Sequence, residues 1–292
     1  MRTIIGLAAL ARSGKDTVAS MLLTYPNVAA FALADPLKVG CQALFGLTNK
    51  ETWDDDLKEK PIDLWSKSPR EFFQTVGTEW MRHHNPEHWL MRAEREINRS
   101  PETPDIPFPA NLTSPEAPFA LAAQAFFDFT DDQVWNPVSL DVCDSQWALS
   151  PREAIELLKS HTYAMFPDFD TRRQHRPVVV PQCRIELPKE AHTIIIKDIR
   201  FENEAAFLRS HNGKIWHIKR PDLQKVNEHS SEAGIEQAPE DVLILNDGSL
   251  DHLSQLIQQA WNGLPARCTD DLATTATQGA PDAPKLQGAP EA

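Results

Sequence analysis

Nothing in this 292-residue chain approaches the ~20 consecutive apolar residues of a membrane-crossing helix, and no signal-peptide pattern precedes its first apolar strand. Cysteine is scarce and unpatterned. Cys41, Cys143, Cys183 and Cys268 have neither metal-ligand nor redox spacing, so reduced thiols are expected. A basic excess is missing too. With 42 acidic residues against 29 basic, the formal net charge is −13, which argues against a general nucleic-acid surface but not against local basic pockets for small anions. These absences predict a soluble, cytoplasmic protein with no membrane and no nucleic-acid partner.

What is present is core material. Hydrophobic residues make up 41% of the chain, enough for one large globular unit. Short apolar runs at Thr3–Ala8, Val28–Leu33, Thr193–Ile196, Lys214–Ile218 and Val242–Leu245 read as buried strands. Amphipathic patterns at Asp16–Leu23, Pro36–Leu44, Arg70–Arg82, Glu87–Ile97, Asn203–Ser210 and Leu250–Trp261 read as helices. That alternation indicates an α/β fold with a mostly parallel sheet and helices on both faces. The folded part is expected to span 1–264. The tail 265–292, rich in Ala, Pro, Thr, Gln and Gly and without aromatic residues, is expected to be disordered.

In parallel sheets ligands bind beyond the carboxyl ends of the strands, so the segment after the first strand carries most weight. It reads "AALARSGKDT". A phosphate-binding loop has the pattern G-x-x-x-x-G-K-[ST], in which main-chain N–H groups surround the phosphates and the lysine neutralises them. Ser13, Gly14 and Lys15 fit it, with Arg12 as a second cation and a helix N-terminus following at once. Ala9 stands where the first glycine is expected, which requires a negative φ there. Asp16 stands where the Mg²⁺-holding hydroxyl is expected, with Thr17 next. A carboxylate is a hard oxygen donor, so Asp16 and Thr17 are the expected Mg²⁺ residues.

The stretches "ARSGKDT", "FALADPLK", "SPREFFQTVGTEWMRHHNPEHW", "IIIKDIRFENEAAFL", "IKRP…HSSE" and "ILNDGSLDHL", in that order, resemble the bacteriophage deoxynucleoside monophosphate kinase family, a branch of the P-loop NMP kinases. The resemblance covers about 1–98 and 192–261. It implies a three-layer P-loop kinase fold with a helical acceptor-binding insertion at about 34–100 and a lid at about 220–240. It also implies ATP as phosphoryl donor with Mg²⁺, a deoxynucleoside monophosphate (dNMP) as acceptor, and leaves a homodimer open.

Phosphoryl transfer needs two anionic groups brought in line and shielded, largely by positioned cations. Lys15 would grip ATP. Lys38 and Arg70 are the favoured contacts for the acceptor phosphate. Arg82 lies about three helical turns from Arg70, so a straight helix cannot bring both to one phosphate unless Gly77 breaks it. Gln74, Glu79 and Arg82 join the acceptor set, and Trp89 would either stack on a base or pack in the core. Asp198 and Arg200 follow the third strand and would serve Mg²⁺, acceptor or phosphate; Asn203 and Glu204 would cap and charge the next helix. Arg220 ends the fourth strand, before a polar lid holding His229 and Glu232. Asn246 and Gly248 would contact the adenine or form a turn and cap. His83, His84 and His88 lack a clear fourth ligand for a metal.

One pattern lies outside the resemblance. Shifted by 82 residues, Pro36, Gln42, Ala43, Phe45, Thr48, Trp53, Trp65 and the block Ser68–Glu71 fall on Pro118, Gln124, Ala125, Phe127, Thr130, Trp135, Trp147 and Ser150–Glu153. This reads as a duplicated unit within 101–190. Ala120 replaces Lys38, which favours a structural remnant with an exposed Arg152. The alternative adds Arg152, Arg172, Arg173 and Arg176 to the site. Two other functions compete with dNMP phosphorylation: a P-loop kinase of another acceptor such as dephospho-coenzyme A, and a nucleotide-binding module without transferase activity.

Overall fold

The computed structural model describes residues 2–10, 12–98, 107–181, 187–188, 190–221 and 234–264. Five strands form one parallel sheet: β1 (Thr3–Ala9), β2 (Val28–Ala32), β3 (Thr193–Ile199), β4 (Lys214–Lys219) and β5 (Val242–Leu245). Their order is β2-β3-β1-β4-β5. All five expected strands are therefore present, in an α/β, P-loop kinase-like arrangement. Among the described residues no helix is long and apolar enough to cross a membrane.

The strands read as continuous apolar runs because both faces are covered. Side chains alternate across a strand, so Ile4 and Ala8 of β1 join Ile194 and Ile196 of β3 in one core, while Ile5, Leu7 and Ile195 join the other. The first core is closed by α5 (His88–Ile97) and α10 (Glu202–Ser210) through Leu90, Ala93, Ile97, Ala205 and Leu208. The second is closed by α1 (Lys15–Leu22) and α11 (Leu250–Asn262) through Val18, Leu22, Leu253, Ile257 and Trp261. β1 is central, with the chain passing from it to β2 on one side and reaching β4 on the other. Its carboxyl end is thus the switch point where a crevice opens.

Between β2 and β3 lies a helical region with a third core rich in aromatic rings. It holds α2 (Asp35–Phe45), α3 (Asn49–Trp53), α4 (Pro69–Gln74), α6 (Ala117–Phe127), α7 (Asp131–Trp135), α8 (Pro151–Met165) and α9 (Phe169–Arg173). Its two halves repeat one another in detail at the offset of 82. Trp65 Nε1 donates to the Phe45 carbonyl at 3.1 Å, and Trp147 Nε1 to that of Phe127 at 2.7 Å. Ser68 and Ser150 each close a capping box with the glutamate three residues on, Glu71 and Glu153. Thr48 and Thr130 cap α3 and α7 in the same way. Antiparallel bridges join Ile62 to Lys67 and Asp144 to Leu149. The halves meet face to face through α2 and α6, where a Cβ on Gly40 would collide with the Phe126 ring.

The basic run at the end of the second half is structural. Arg173 is buried and donates to the carbonyls of Ala43 (3.1 Å), Leu44 (3.0 Å) and Arg176 (2.5 Å). It therefore satisfies the carbonyls that the end of α2 leaves open, at the negative end of the helix dipole. Arg176 holds both carboxylate oxygens of Glu51 at 3.0 Å, and Arg172 donates to the Leu64 carbonyl at 2.7 Å. All three brace the first half from the second, as the remnant account expects.

The helix from Arg70 to Arg82 differs from expectation. Gly77 does not break it; over Thr75–Arg82 it widens into a π-helix. Trp89 takes up one of the displaced carbonyls, its Nε1 donating to Gly77 at 3.1 Å. Nearby, His88 is buried among Trp89, Phe127 and Trp147, and its Nε2 has no partner among the described residues. Burial, aided by Arg92 and His84 and opposed by a bond to the Phe126 main chain, pushes its pKa down to about 3. The unfolded chain then takes up a proton below about pH 6.5 that the fold refuses. Stability is lost as pH falls, by up to ~1.4 kcal/mol per unit. Thermal melts at pH 7 and pH 5 should show a smaller acid shift for His88→Leu than for the native protein.

Candidate functional site

The loop after β1 turns through a left-handed residue directly into α1. Ala9 stays within the strand with negative φ; the left-handed positions are Arg12 (φ 65°) and Gly14 (φ 92°). Glycine is required at 14 because a Cβ would both strain that φ and strike Nδ2 of Asn246. Ser13 is buried, and its hydroxyl donates to the Leu10 carbonyl at 2.6 Å. Asn246, after β5, donates from its amide to the Ser13 carbonyl at 2.9 Å, so its Nδ2 braces the loop from the neighbouring strand. As the first residue before α1, Gly14 offers no capping side chain, which leaves the helix's opening N–H groups for a ligand.

The end of β3 lies beside that loop, with Ile199 opposite Ala8 of β1. Burial lowers the pKa of Lys15, and Arg200 and Lys197 from the end of β3 lower it further, while Asp16 opposes them. Lys197 is a residue that sequence reasoning passed over. Its only signal is a lone charge inside "IIIKDI", next to the aspartate that drew attention instead. Asp198 is in β3, and its side chain lies outside the described residues. Arg12 and Arg220 are exposed, the latter just past β4. His229, Glu232 and most of the expected lid lie outside the described residues, as does the tail from 265.

Arg82 approaches from the helical region. It donates to Oε1 of the buried Glu204 at 2.9 Å and lies over the Phe201 ring at 4.8 Å. The other oxygen of Glu204 accepts the main-chain N–H groups of Arg200 (2.9 Å) and Phe201 (3.2 Å). Capping of α10 thus falls to Glu204; Asn203 is exposed one residue earlier and is not the N-cap.

Arg70 is elsewhere. Its guanidinium pairs with Glu59 at 2.6 Å, just as Arg152 pairs with Asp141 at 2.5 Å in the second half. The shared "SPRE" block is therefore explained by a capping box and an arginine clasp present in both halves. Lys38 pairs with Asp35 at 3.2 Å and sits over the Trp53 ring at 4.6 Å. Lys38, Lys58 and Arg70 all lower the pKa of Asp55, Lys58 most, so the two favoured acceptor cations share a neighbourhood. Arg70 and Arg82 do not converge: one pairs with Glu59, the other with Glu204.

Gln74 and Glu79 are exposed on the α4 and π-helix face. Trp89 is 5% exposed and engaged with Gly77, so it belongs to the core and presents no face to a base. Gly248 is exposed, and Ser249 beside it caps α11. His83 and His84 are exposed whereas His88 is buried, and no three His, Cys, Asp or Glu side chains among the described residues could hold a metal. Asp16, exposed in the first turn of α1, and Thr17 adjoin the loop. One carboxylate and one hydroxyl suit Mg²⁺, which keeps most of its shell for phosphate and water oxygens.

The family model for deoxynucleotide monophosphate kinase matches residues 179–257, from before β3 into α11. A protein of Acanthamoeba polyphaga mimivirus, named "Putative deoxynucleotide monophosphate kinase", is 23% identical over 258 residues, covering 87% of this chain and 94% of that protein. The chain thus has a P-loop kinase-like sheet, and over part of its length it resembles the deoxynucleotide monophosphate kinase family.

Proposed function

We propose that this protein transfers the γ-phosphoryl group of ATP to a deoxynucleoside 5′-monophosphate, giving ADP and a deoxynucleoside diphosphate. The observation that carries this reading is the left-handed Gly14 and the uncapped helix N-terminus at Lys15, beside the end of β3 that bears Lys197 and, one residue on, Arg200. The main-chain N–H groups of that turn and Lys15 hold the donor's phosphates. An oxygen of the acceptor phosphate forms the new bond to the γ-phosphorus as the bond to the β-phosphate oxygen breaks. Asp16 and Thr17 would hold Mg²⁺ together with phosphate and water oxygens, and the ion would supply charge neutralisation. Arg12 and Arg220 stand at the exposed margin of the donor side, and Asp198 belongs with Arg200 at the end of β3.

On the acceptor side Arg82 is the cation tied into the strand-end group, while Lys38 and Arg70 form an outer pair around Asp55. Gln74 and Glu79 are the polar groups on that face. Arg70→Ala is expected to lower kcat/KM for the acceptor about tenfold, the scale of a charged hydrogen bond. Arg152→Ala should leave it within about twofold, since the second half has Ala120 where Lys38 stands. Equal losses would place both halves in the site. The proposal itself is tested by ADP release from Mg-ATP on addition of each dNMP and ribonucleotide. Release that needs a dNMP supports it; ATP binding without acceptor-dependent turnover supports a binding module instead.

A further inference from the structure

We infer that Glu204 is a positioning residue, one that locks the acceptor helix to the donor site by holding Arg82 and the turn bearing Arg200 with a single buried carboxylate. This rests on the kinase reading and extends it. The side chain of Glu204 is 4% exposed, and that of Arg82 26% exposed. A carboxylate so buried is retained only when its oxygens are satisfied, and both are. One oxygen accepts two successive N–H groups at the start of α10; the other accepts Arg82, 122 residues away in sequence. The Phe201 ring, from the same turn, lies under the guanidinium. Arg82 is therefore gripped from two sides by residues of one turn. The guanidinium has five N–H donors in a rigid fork, and Glu204 Oε1 engages one nitrogen of it.

The placement has a mechanical consequence. Arg82 is the last residue of the π-helix. The turn that grips it follows β3, whose end pairs with β1 just before the loop leading to Lys15, Ile199 lying opposite Ala8. Glu204 thus makes the acceptor-side cation and the donor-side cations parts of one rigid unit. In-line transfer depends on that registration, and a displacement of about 1 Å can cost ~10²-fold in rate.

Glu204→Gln separates positioning from capping. Its amide oxygen can still accept the Arg200 and Phe201 N–H groups, whereas its NH2 would face Arg82 donor to donor. With the full-length protein, Mg-ATP and whichever dNMP the native protein turns over, kcat is expected to fall at least ~10-fold while KM for ATP stays within about twofold. Arg82→Met should show the same loss, and the double variant should be no worse than Arg82→Met, because Glu204 acts through Arg82. An unchanged kcat in Glu204→Gln, or losses that multiply in the double variant, would overturn the inference. Should Glu204→Gln fail to fold, Arg82→Met leaves the cap intact, and an unchanged kcat there overturns it equally. A native protein inactive on every dNMP would instead defeat the kinase reading, before any variant is compared.

Discussion

Replacing Lys15 by Met is expected to lower kcat/KM for ATP by about 10²–10³-fold or more while leaving the folded protein at least as stable as before. Preorganised charge at a transferring phosphoryl group is the main catalytic resource of such a site, and removing one donor from comparable sites costs that much. The stability half follows from the lowered Lys15 pKa. A folded-state value below 10.5 means that the fold opposes the ammonium. At neutral pH burial disfavours the charged Lys15, Asp16 offsetting part of that cost, and stability rises with pH between the lowered value and 10.5. Methionine removes the burden together with the grip. Melting curves should show a Tm equal to or above the native value without ligand, and no rise on adding Mg-ATP, where the native protein rises through linkage. A lower Tm with a preserved ATP response would contradict both halves.

The second large effect is on stability. Arg173→Ala should cost about 3–5 kcal/mol, because it leaves the carbonyls of Ala43 and Leu44 buried without a donor. Burial pushes the guanidinium pKa down to about 10, with Arg176 adding to the shift, yet it stays charged at neutral pH. At roughly 2–4 °C per kcal/mol, the expected fall in Tm is about 6–20 °C. Lysine should not restore it, since an ammonium is a point donor and cannot span carbonyls from Ala43 to Arg176 as a fork does. A fall in catalytic rate without a fall in Tm would instead move Arg173 into the site.

The strands and the left-handed turn into α1 were legible because their determinants are local. A strand buried on both faces must be apolar throughout, as "TIII" and "VLIL" are, and a left-handed turn before a helix calls for the glycine that precedes Lys15. The repeat was legible because Trp65 and Trp147 each return to a carbonyl 20 residues earlier, a constraint that keeps both spacing and residue type. What escaped was decided at long range. Arg173 reaches α2 across about 130 residues, and nothing near it distinguishes a buried fork from a surface charge. The π-helix depends on Trp89 and on Leu37 filling the space beside Gly77, not on local propensity. The sequence favours Arg70 over Arg82 for the acceptor phosphate; only the carboxylates that hold them, Glu59 and Glu204, show how differently the two are placed.

Following the γ-phosphoryl group itself is the most direct test. ATP labelled at that position, incubated with Mg²⁺, the native protein and a dNMP, should yield a labelled deoxynucleoside diphosphate and unlabelled ADP. Label released as inorganic phosphate, or remaining in ATP with every dNMP supplied, would contradict the account.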